Sequence, residues 1–528
     1  MKTTSIKVAN PTISEGVKKR IVIISDTHIS NSESDFNLTA FRKGIAQINK
    51  LKNIDYFIHL GDLTQNGTLN EFEYSKTLMN EIKQKISVQY VIGNHDALNV
   101  GYLLFEEMIG ERHFEIEDEN FFLLAVDSTI PDLATGKINF RTMMKIKKLL
   151  LDRPNKMKVV CFHHQLIPIP HTGKERSAIL DSGDMLQILK ECGVHLVING
   201  HRHISNLYTI NLGEQDLLAF NSGTFSSNKT RYRESFTYNI IDINNDIFRF
   251  NIIPILQQER FKKEIFRKVS TYSLRKKKKD EKPFCKLIHF FDSSLSPDDK
   301  KTEQTFDKLI QKINNQKDIS IVLHSGNVTK NSYKEEYEFA IERLKDIAYP
   351  YIIVPGINDV KPNGYQLWLK NIGDLDSTYE DNKLVVLALD TTTFNSKVGR
   401  IGRRRIKEIS EQTMKKSREK VICVLCHHEI IPTPMSVWKT ELIDAGDVLS
   451  RFSLSQIALI LTSSSGLSIN TKIDNSIFSS VSSLKKDYFN EIFIEIDIFK
   501  DGLVELYEHD LTEHKITNIG RYSINLFT

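Results

Sequence analysis

Ile21-Val22-Ile23-Ile24-Ser25-Asp26-Thr27-His28 is an unbroken apolar run that stops on an aspartate and, two residues on, a histidine. Three further runs behave alike: Tyr56-Phe57-Ile58-His59-Leu60 leads into Gly61-Asp62, Val159-Val160-Cys161-Phe162 into His163-His164, and Leu196-Val197-Ile198 into Gly200-His201-Arg202-His203. Gly93-Asn94-His95-Asp96 stands third in the order. Short, continuously apolar runs read as strands covered on both faces. Open α/β sheets place their ligands at strand C-termini. Between the runs, Asn37 to Lys52, Arg141 to Leu151 and Met185 to Cys192 carry the 3.6-residue spacing of covering helices.

The order and type of these five motifs resemble the calcineurin-like metallophosphoesterase family, whose pattern is D-x-H, G-D, G-N-H-D, H and G-H-x-H. The wording around them, Gly61-Asp62-Leu63-Thr64-Gln65-Asn66-Gly67 and His163-His164-Gln165-Leu166-Ile167-Pro168, is similar to the bacterial class III cyclic-nucleotide phosphodiesterases. The resemblance implies a four-layer α/β/β/α sandwich and two divalent cations. It assigns Asp26, His28 and His203 to one cation, Asn94, His163 and His201 to the other, and Asp62 to both. His95 is implied as the catalytic, substrate-facing group.

Phosphoester hydrolysis needs a nucleophile at neutral pH and counter-charge for the phosphoryl oxygens, and a cation pair supplies both. The carboxylate, amide and imidazole set suits manganese, iron or zinc, and no cysteine is among it. Asp96 is expected to orient a neighbouring histidine. His164 reads equally as a substrate-side group or as packing, whereas the isolated His59 and His113 read as ordinary satisfied residues. The expected activity is hydrolysis of a small phosphodiester, a cyclic nucleotide first. The alternatives are a phosphomonoesterase or protein phosphatase, a nuclease, and a non-catalytic sensor of metal and nucleotide.

At 528 residues the chain exceeds one ordinary core. His163-His164-Gln165-Leu166-Ile167-Pro168 recurs as His427-His428-Glu429-Ile430-Ile431-Pro432, and Leu180-Asp181-Ser182-Gly183-Asp184 as Ile443-Asp444-Ala445-Gly446-Asp447. A period that long predicts the sandwich twice in tandem: an active domain over 18–256, a basic linker over 257–283 and a degenerate copy over 284–528. Aligned through the repeat, Asp26 matches Asp292, but His28 falls on Ser294, Asp62 on Asn327, Asn94 on Ile357 and His95 on Asn358. Gly200-His201-Arg202-His203 falls on Ser463-Ser464-Ser465-Gly466, so only Asp292 and His427 remain. The second copy therefore reads as a pseudo-enzyme domain and the pair as an intramolecular pseudo-dimer.

The linker run Arg275-Lys276-Lys277-Lys278-Lys279 reads as a solvated tether. A net charge of +4 is too mild to imply a nucleic-acid partner. Met1 to Gly16 has no apolar leader, no stretch is apolar enough to span a membrane, and five cysteines suit a reducing compartment, so a cytoplasmic location is expected. Cys423-Val424-Leu425-Cys426-His427 matches a haem-attachment pattern, but on a strand its two cysteines, three apart, face opposite ways.

Overall fold

The structure, a computed structural model, describes residues 16–172, 178–256, 262–278, 280–416, 420–436, 441–485 and 490–526. The chain forms two compact units whose main break lies between Thr271 and Tyr272.

In chain order the first unit contains β1 (Lys18–Ile24), α1 (Leu38–Ile48), β2 (Tyr56–His59), α2 (Leu69–Met79), β3 (Val88–Tyr90), α3 (Gly101–Met108), β4 (Phe114–Glu117), β5 (Phe121–Ala125), α4 (Phe140–Leu151), β6 (Met157–Cys161), α5 (Ser182–Glu191), β7 (Leu196–Asn199), β8 (Asn206–Asn211), β9 (Asp216–Asn221), β10 (Thr237–Asn244), β11 (Ile247–Pro254) and β12 (Lys263–Lys268). One sheet has the order β12-β11-β10-β1-β2-β3, and the other strands run β8-β9-β7-β6-β5-β4. The central strands β1, β2 and β3 are parallel, as are β5, β6, β7 and β9.

Alternation along β1 makes the layers. Ile21 and Ile23 enter a core shared with Leu123, Val159 and Ile198 of the other sheet. Val22 and Ile24 face the other way, against Phe41, Ile45 and Ile48 of α1. Asn37 starts that helix by accepting the Ala40 N–H at 2.8 Å. Phe41 is fully buried, and its truncation to Ala would cost about 3–5 kcal/mol. Strands β5, β6, β7 and β9 are buried on both faces, which is why their sequences never alternate.

The second unit contains β13 (Cys285–Phe290), α6 (Lys300–Asn314), β14 (Ile321–His324), α7 (Lys334–Leu344), β15 (Tyr351–Ile353), α8 (Gly364–Asn371), β16 (Ser377–Glu380), β17 (Leu384–Leu389), α9 (Arg403–Lys416), β18 (Val421–Cys426), α10 (Ala445–Phe452), β19 (Leu459–Ser463), β20 (Ile469–Ile473), β21 (Ser476–Val481), β22 (Ile492–Ile498), β23 (Leu503–Asp510) and β24 (Ile516–Ser523). It is α/β with mixed sheets: β24-β23-β22-β13-β14-β15, and strands in the order β20-β21-β19-β18-β17-β16. Cys423 packs with Leu425 between the sheets and Cys426 lies outside that cluster. Both are buried thiols, which removes the haem reading.

The stretch 257–283 differs from a solvated tether. Within it β12 pairs antiparallel with β11 from Ile247 to Ile252. As an edge strand it tolerates the charges that disguise it in the sequence. Arg275 pairs with Asp501 at 2.7 Å and Glu281 at 2.8 Å, and Lys277 with Asp497 at 2.7 Å. Asp497 and Asp501 lie more than two hundred positions away, so local charge gave no sign of them. Residues 257–261 and Lys279 of this stretch, and residues 1–15 of the expected leaderless start, lie outside the described residues. No described helix is long and apolar enough to cross a membrane.

Candidate active site

Loops leaving β1, β2, β3, β6 and β7 bring the five motifs together. Asp26, His28, Asp62 and His203 form one buried group, and Asp62, His163 and His201 a second, with candidate ligand atoms in each within 4.8 Å of one another. His203 Nε2 lies 3.3 Å from Asp26 Oδ1 and 3.1 Å from His28 Nε2. In the second group Asn94 Oδ1 lies 3.2 Å from His163 Nε2 and 2.8 Å from His201 Nδ1. Asp62 Oδ2 faces both groups, 3.4 Å from His28 Nε2 and 3.3 Å from His163 Nε2. Its Oδ1 accepts the His95 backbone N–H at 2.9 Å.

The imidazoles are turned by their far nitrogens. His28 Nδ1 lies 2.7 Å from Gln65 Oε1, His163 Nδ1 2.7 Å from the Leu60 carbonyl, and His203 Nδ1 2.7 Å from the Lys229 carbonyl. Each acceptor assigns the proton to Nδ1 and leaves the Nε2 lone pair to the site. Burial drives His28 down to about 3, with Asp62 opposing, and His201 well below the usual imidazole value. Burial also opposes charge on His163, but Asp62 and Asp26 overcome it and lift the ring to about 9. Burial pushes the Asp26 carboxyl up, yet His203 and His163 more than offset this and hold it below its ordinary value.

The turns that present these groups are strained. Asp26, His28, Asp62, His201 and His203 all have positive φ, between 50° and 72°. Such conformations cost about 1–3 kcal/mol each and persist where the surroundings enforce them. Close approach is part of that enforcement: a Cβ on Gly93 would collide with Asp62, and one on Gly200 with Ser25.

His95 stands beside His28, ring centroids 4.5 Å apart, and its Nδ1 lies 2.6 Å from the Gln65 carbonyl. Asp96 departs from expectation. Its oxygens accept from Leu63 N, Thr64 N, Thr64 Oγ1 and Gly93 N at 2.8–3.1 Å, and no histidine is among the donors. It clamps the Asp62 turn to the Gly93 turn, a backbone role the sequence does not display. Burial and the Asp62 charge raise its carboxyl to about 6. His164 belongs to neither group: it is buried, with Nδ1 2.8 Å from Ser128 Oγ, which favours packing. His59 is buried and satisfied by Thr27 and Gly61, while His113 accepts the Asp127 N–H. Gln65 was missed because its role is to orient two histidines; its place in the Gly61–Gly67 wording was the available signal.

In the second unit, Asn327 Oδ1 accepts Asn358 N at 3.0 Å, and Asp359 accepts from Val328 N, Thr329 N and Gly356 N at 2.8–3.1 Å. Asp292, Ser294 and Asn327 have positive φ. His427 Nδ1 lies 2.8 Å from the Ser325 carbonyl. Among the described residues no cation-binding group gathers around them.

A mixed α/β domain with this intact His/Asp cluster at its strand ends defines a metallophosphoesterase. The first half of the chain matches, over residues 19–205, the family model described as Calcineurin-like phosphoesterase. It is 22% identical over 249 residues, 43% of this chain and 97% of the relative, to a probable cyclic nucleotide phosphodiesterase of Xenorhabdus bovienii. It is 31% identical over 165 residues, 28% of this chain and 58% of the relative, to a probable glycerophosphodiester phosphodiesterase of Arcobacter nitrofigilis. A purple acid phosphatase structure from yellow lupin aligns with a TM-score of 0.37 at 14% identity, covering 47% of this chain and 53% of that one.

Proposed function

We propose that the first half is a dinuclear-metal phosphodiesterase acting on a small phosphodiester, with a cyclic nucleotide as substrate. The observation that carries this is Asp62 Oδ2, within 3.4 Å of a ring nitrogen in each donor group, where a shared ligand belongs. On this reading Asp26, His28 and His203 hold one cation and Asn94, His163 and His201 the other. Two manganese, iron or zinc ions fit these donors, and when bound they supply phosphoryl counter-charge and a nucleophile at neutral pH. Gln65, Leu60 and Lys229 keep the three Nε2 lone pairs aimed inward. His95, fixed by Nδ1–H donation to the Gln65 carbonyl, keeps Nε2 for the leaving oxygen; as the imidazolium it passes the Nε2 proton to that oxygen while the P–O bond breaks and is left as the neutral Nδ1–H ring. The names of the Xenorhabdus and Arcobacter relatives support the diester class.

The second half, 284–528, is on this reading a degenerate copy of 18–256, joined through 257–283 as a pseudo-dimer. Support comes from matching strand orders and from the turns around Asp359 and Asn327, which keep the hydrogen bonds of Asp96 and Asp62. Five buried thiols support a cytoplasmic setting.

The test is turnover of bis-para-nitrophenyl phosphate with manganese, beside 3′,5′-cyclic nucleotides, a glycerophosphodiester, phosphomonoesters and single-stranded DNA. Cyclic-nucleotide turnover exceeding the rest sustains the reading; turnover of monoesters or DNA alone overturns it.

A further inference from the structure

We infer that Tyr232 and His171, stacked on two loops tied to the cation ligands, form the platform on which the first unit seats the base of a nucleotide substrate. This platform presupposes the nucleotide reading proposed above and deepens it, since a glycerophosphodiester has no base to seat.

The two loops leave β6 and β9. After β6 the chain passes His163 and His164 and comes to His171 and Thr172, and after β9 it runs through Lys229 to Arg233 before entering β10. Each loop is fixed to the His201–His203 turn. The Thr172 carbonyl accepts Arg202 Nη2 at 2.7 Å and Arg231 Nη1 at 3.3 Å, so one oxygen joins all three segments. Arg202 and Thr172 are both buried, which shields this clasp from water. On the other flank the Lys229 carbonyl meets His203 Nδ1 at 2.7 Å. Three residues of chain reach at most about 10 Å, so Tyr232 begins within that distance of the carbonyl that turns a cation ligand.

Here the two rings meet face to face. The centroids of His171 and Tyr232 are 3.8 Å apart and their planes differ by 2°. Tyr232 holds a left-handed φ of 55°, which a bulky side chain adopts only where its surroundings enforce it. The ring so presented is not part of the core, for Tyr232 is 67% exposed. With His171 against one face, that exposure leaves the opposite face to solvent. A ring held flat, backed by a second ring and open on its far side is a surface for a further aromatic plane, and every nucleobase offers one.

Charge on the loop agrees with a phosphate-bearing ligand. Lys229, Arg231 and Arg233 surround Tyr232 in sequence, and Lys229 Nζ stands 3.8 Å from Asp35. The one carboxylate of the stretch, Glu234, turns away to accept Ser205 N at 2.9 Å and Ser205 Oγ at 2.6 Å. The second unit gives an independent comparison. Through the repeat that pairs His163 with His427, His171 falls on Met435. Met435 keeps the left-handed turn, φ 54° against 61°, but has no plane with which to back a ring. The turn is thus common to both halves, whereas the backing ring stands only in the half that gathers cation ligands.

The experiment is calorimetric titration of the full-length, manganese-loaded chain with adenosine 5′-monophosphate and with ribose 5-phosphate, the same phosphoester without a base. The nucleotide should bind about tenfold or more tighter than the sugar phosphate, the worth of one base stacked on an aromatic side chain. Tyr232→Ala should erase most of that advantage, Tyr232→Phe should keep it, and His171→Ala, which removes the backing ring, should reduce it. Affinity for ribose 5-phosphate, and manganese equivalents per chain by elemental analysis, should stay at the wild-type level in all three variants. Equal affinity of the wild type for the two ligands, or a loss in Tyr232→Ala shared equally by ribose 5-phosphate, overturns the platform. Turnover of 3′,5′-cyclic adenosine monophosphate is followed separately. Base-dependent affinity without that turnover sustains the platform and removes the cyclic-nucleotide reading, and turnover without base-dependent affinity does the reverse.

Discussion

Asp62 Oδ2 lies 3.3 Å from His163 Nε2, and the same atom lies 3.4 Å from His28 Nε2. The other oxygen is withdrawn from the site by the His95 N–H. One oxygen, not two, is therefore left to serve both donor groups.

Asp62→Asn keeps the Oδ1 hydrogen bond and turns the shared acceptor into a donor. At least one of two manganese equivalents should be lost by elemental analysis, and turnover of bis-para-nitrophenyl phosphate should fall about a hundredfold or more. Two tightly held ions with near-native turnover would remove Asp62 from the shared position.

The proton on His163 sets a pH dependence. Its folded value, about 9, lies above the ordinary 6.5, because Asp62 and Asp26 outweigh burial. In the ion-free protein this contributes stability that is complete below about pH 6.5 and lost as pH rises through about 9. A cation needs that nitrogen deprotonated, so apparent affinity should rise by roughly tenfold per pH unit across pH 6 to 8, with one proton released per ion bound there. Calorimetry in buffers of different ionisation enthalpy reads the proton directly. No proton release at pH 7 would mean that His163 is already neutral.

Gln65 orients His28 through its side chain and His95 through its carbonyl. Gln65→Leu removes only the first. Cation affinity should fall by about 10–100-fold, while Gln65→Glu, which retains an acceptor, should restore most of it. Equal loss in both variants would point to packing instead.

Much of this site was legible because most of the ligand motifs end an apolar run: Ile21–Ile24 lies in β1, and Leu196–Ile198 in β7. The helices expected from Asn37, Arg141 and Met185 are α1, α4 and α5, with shifted ends. What the sequence concealed is set by backbone. Nothing in the letters of Asp26 or His201 discloses a left-handed φ. Asp96 looked like a partner for histidine because it follows one, but its four donors come from two separate stretches of chain, Leu63–Thr64 and Gly93. β12 was hidden because an edge strand need not be apolar.

His95→Ala should leave cation content near normal, since its Nδ1 is committed to the Gln65 carbonyl and it belongs to neither donor group. Turnover should drop by about a hundredfold to ten-thousandfold, the worth of a positioned acid. The deficit should shrink for substrates with better leaving groups, which need no proton. Stoichiometric loss of metal would place His95 among the ligands.

Asp292→Ala combined with His427→Ala tests whether the second unit retains any cation. Asp292 is already answered by Ser294, Ser483 and Lys485, and an ammonium 3.5 Å away opposes a second positive charge. Asn327 offers no shared carboxylate, and the nearest counterpart of Asn94 is the apolar Ile357. The double variant should therefore bind the same number of manganese ions per chain as the wild type, measured by elemental analysis after gel filtration. A reduced count would show that the second unit holds a metal, and the reading of this half as a copy that has lost its cation chemistry would fall with it.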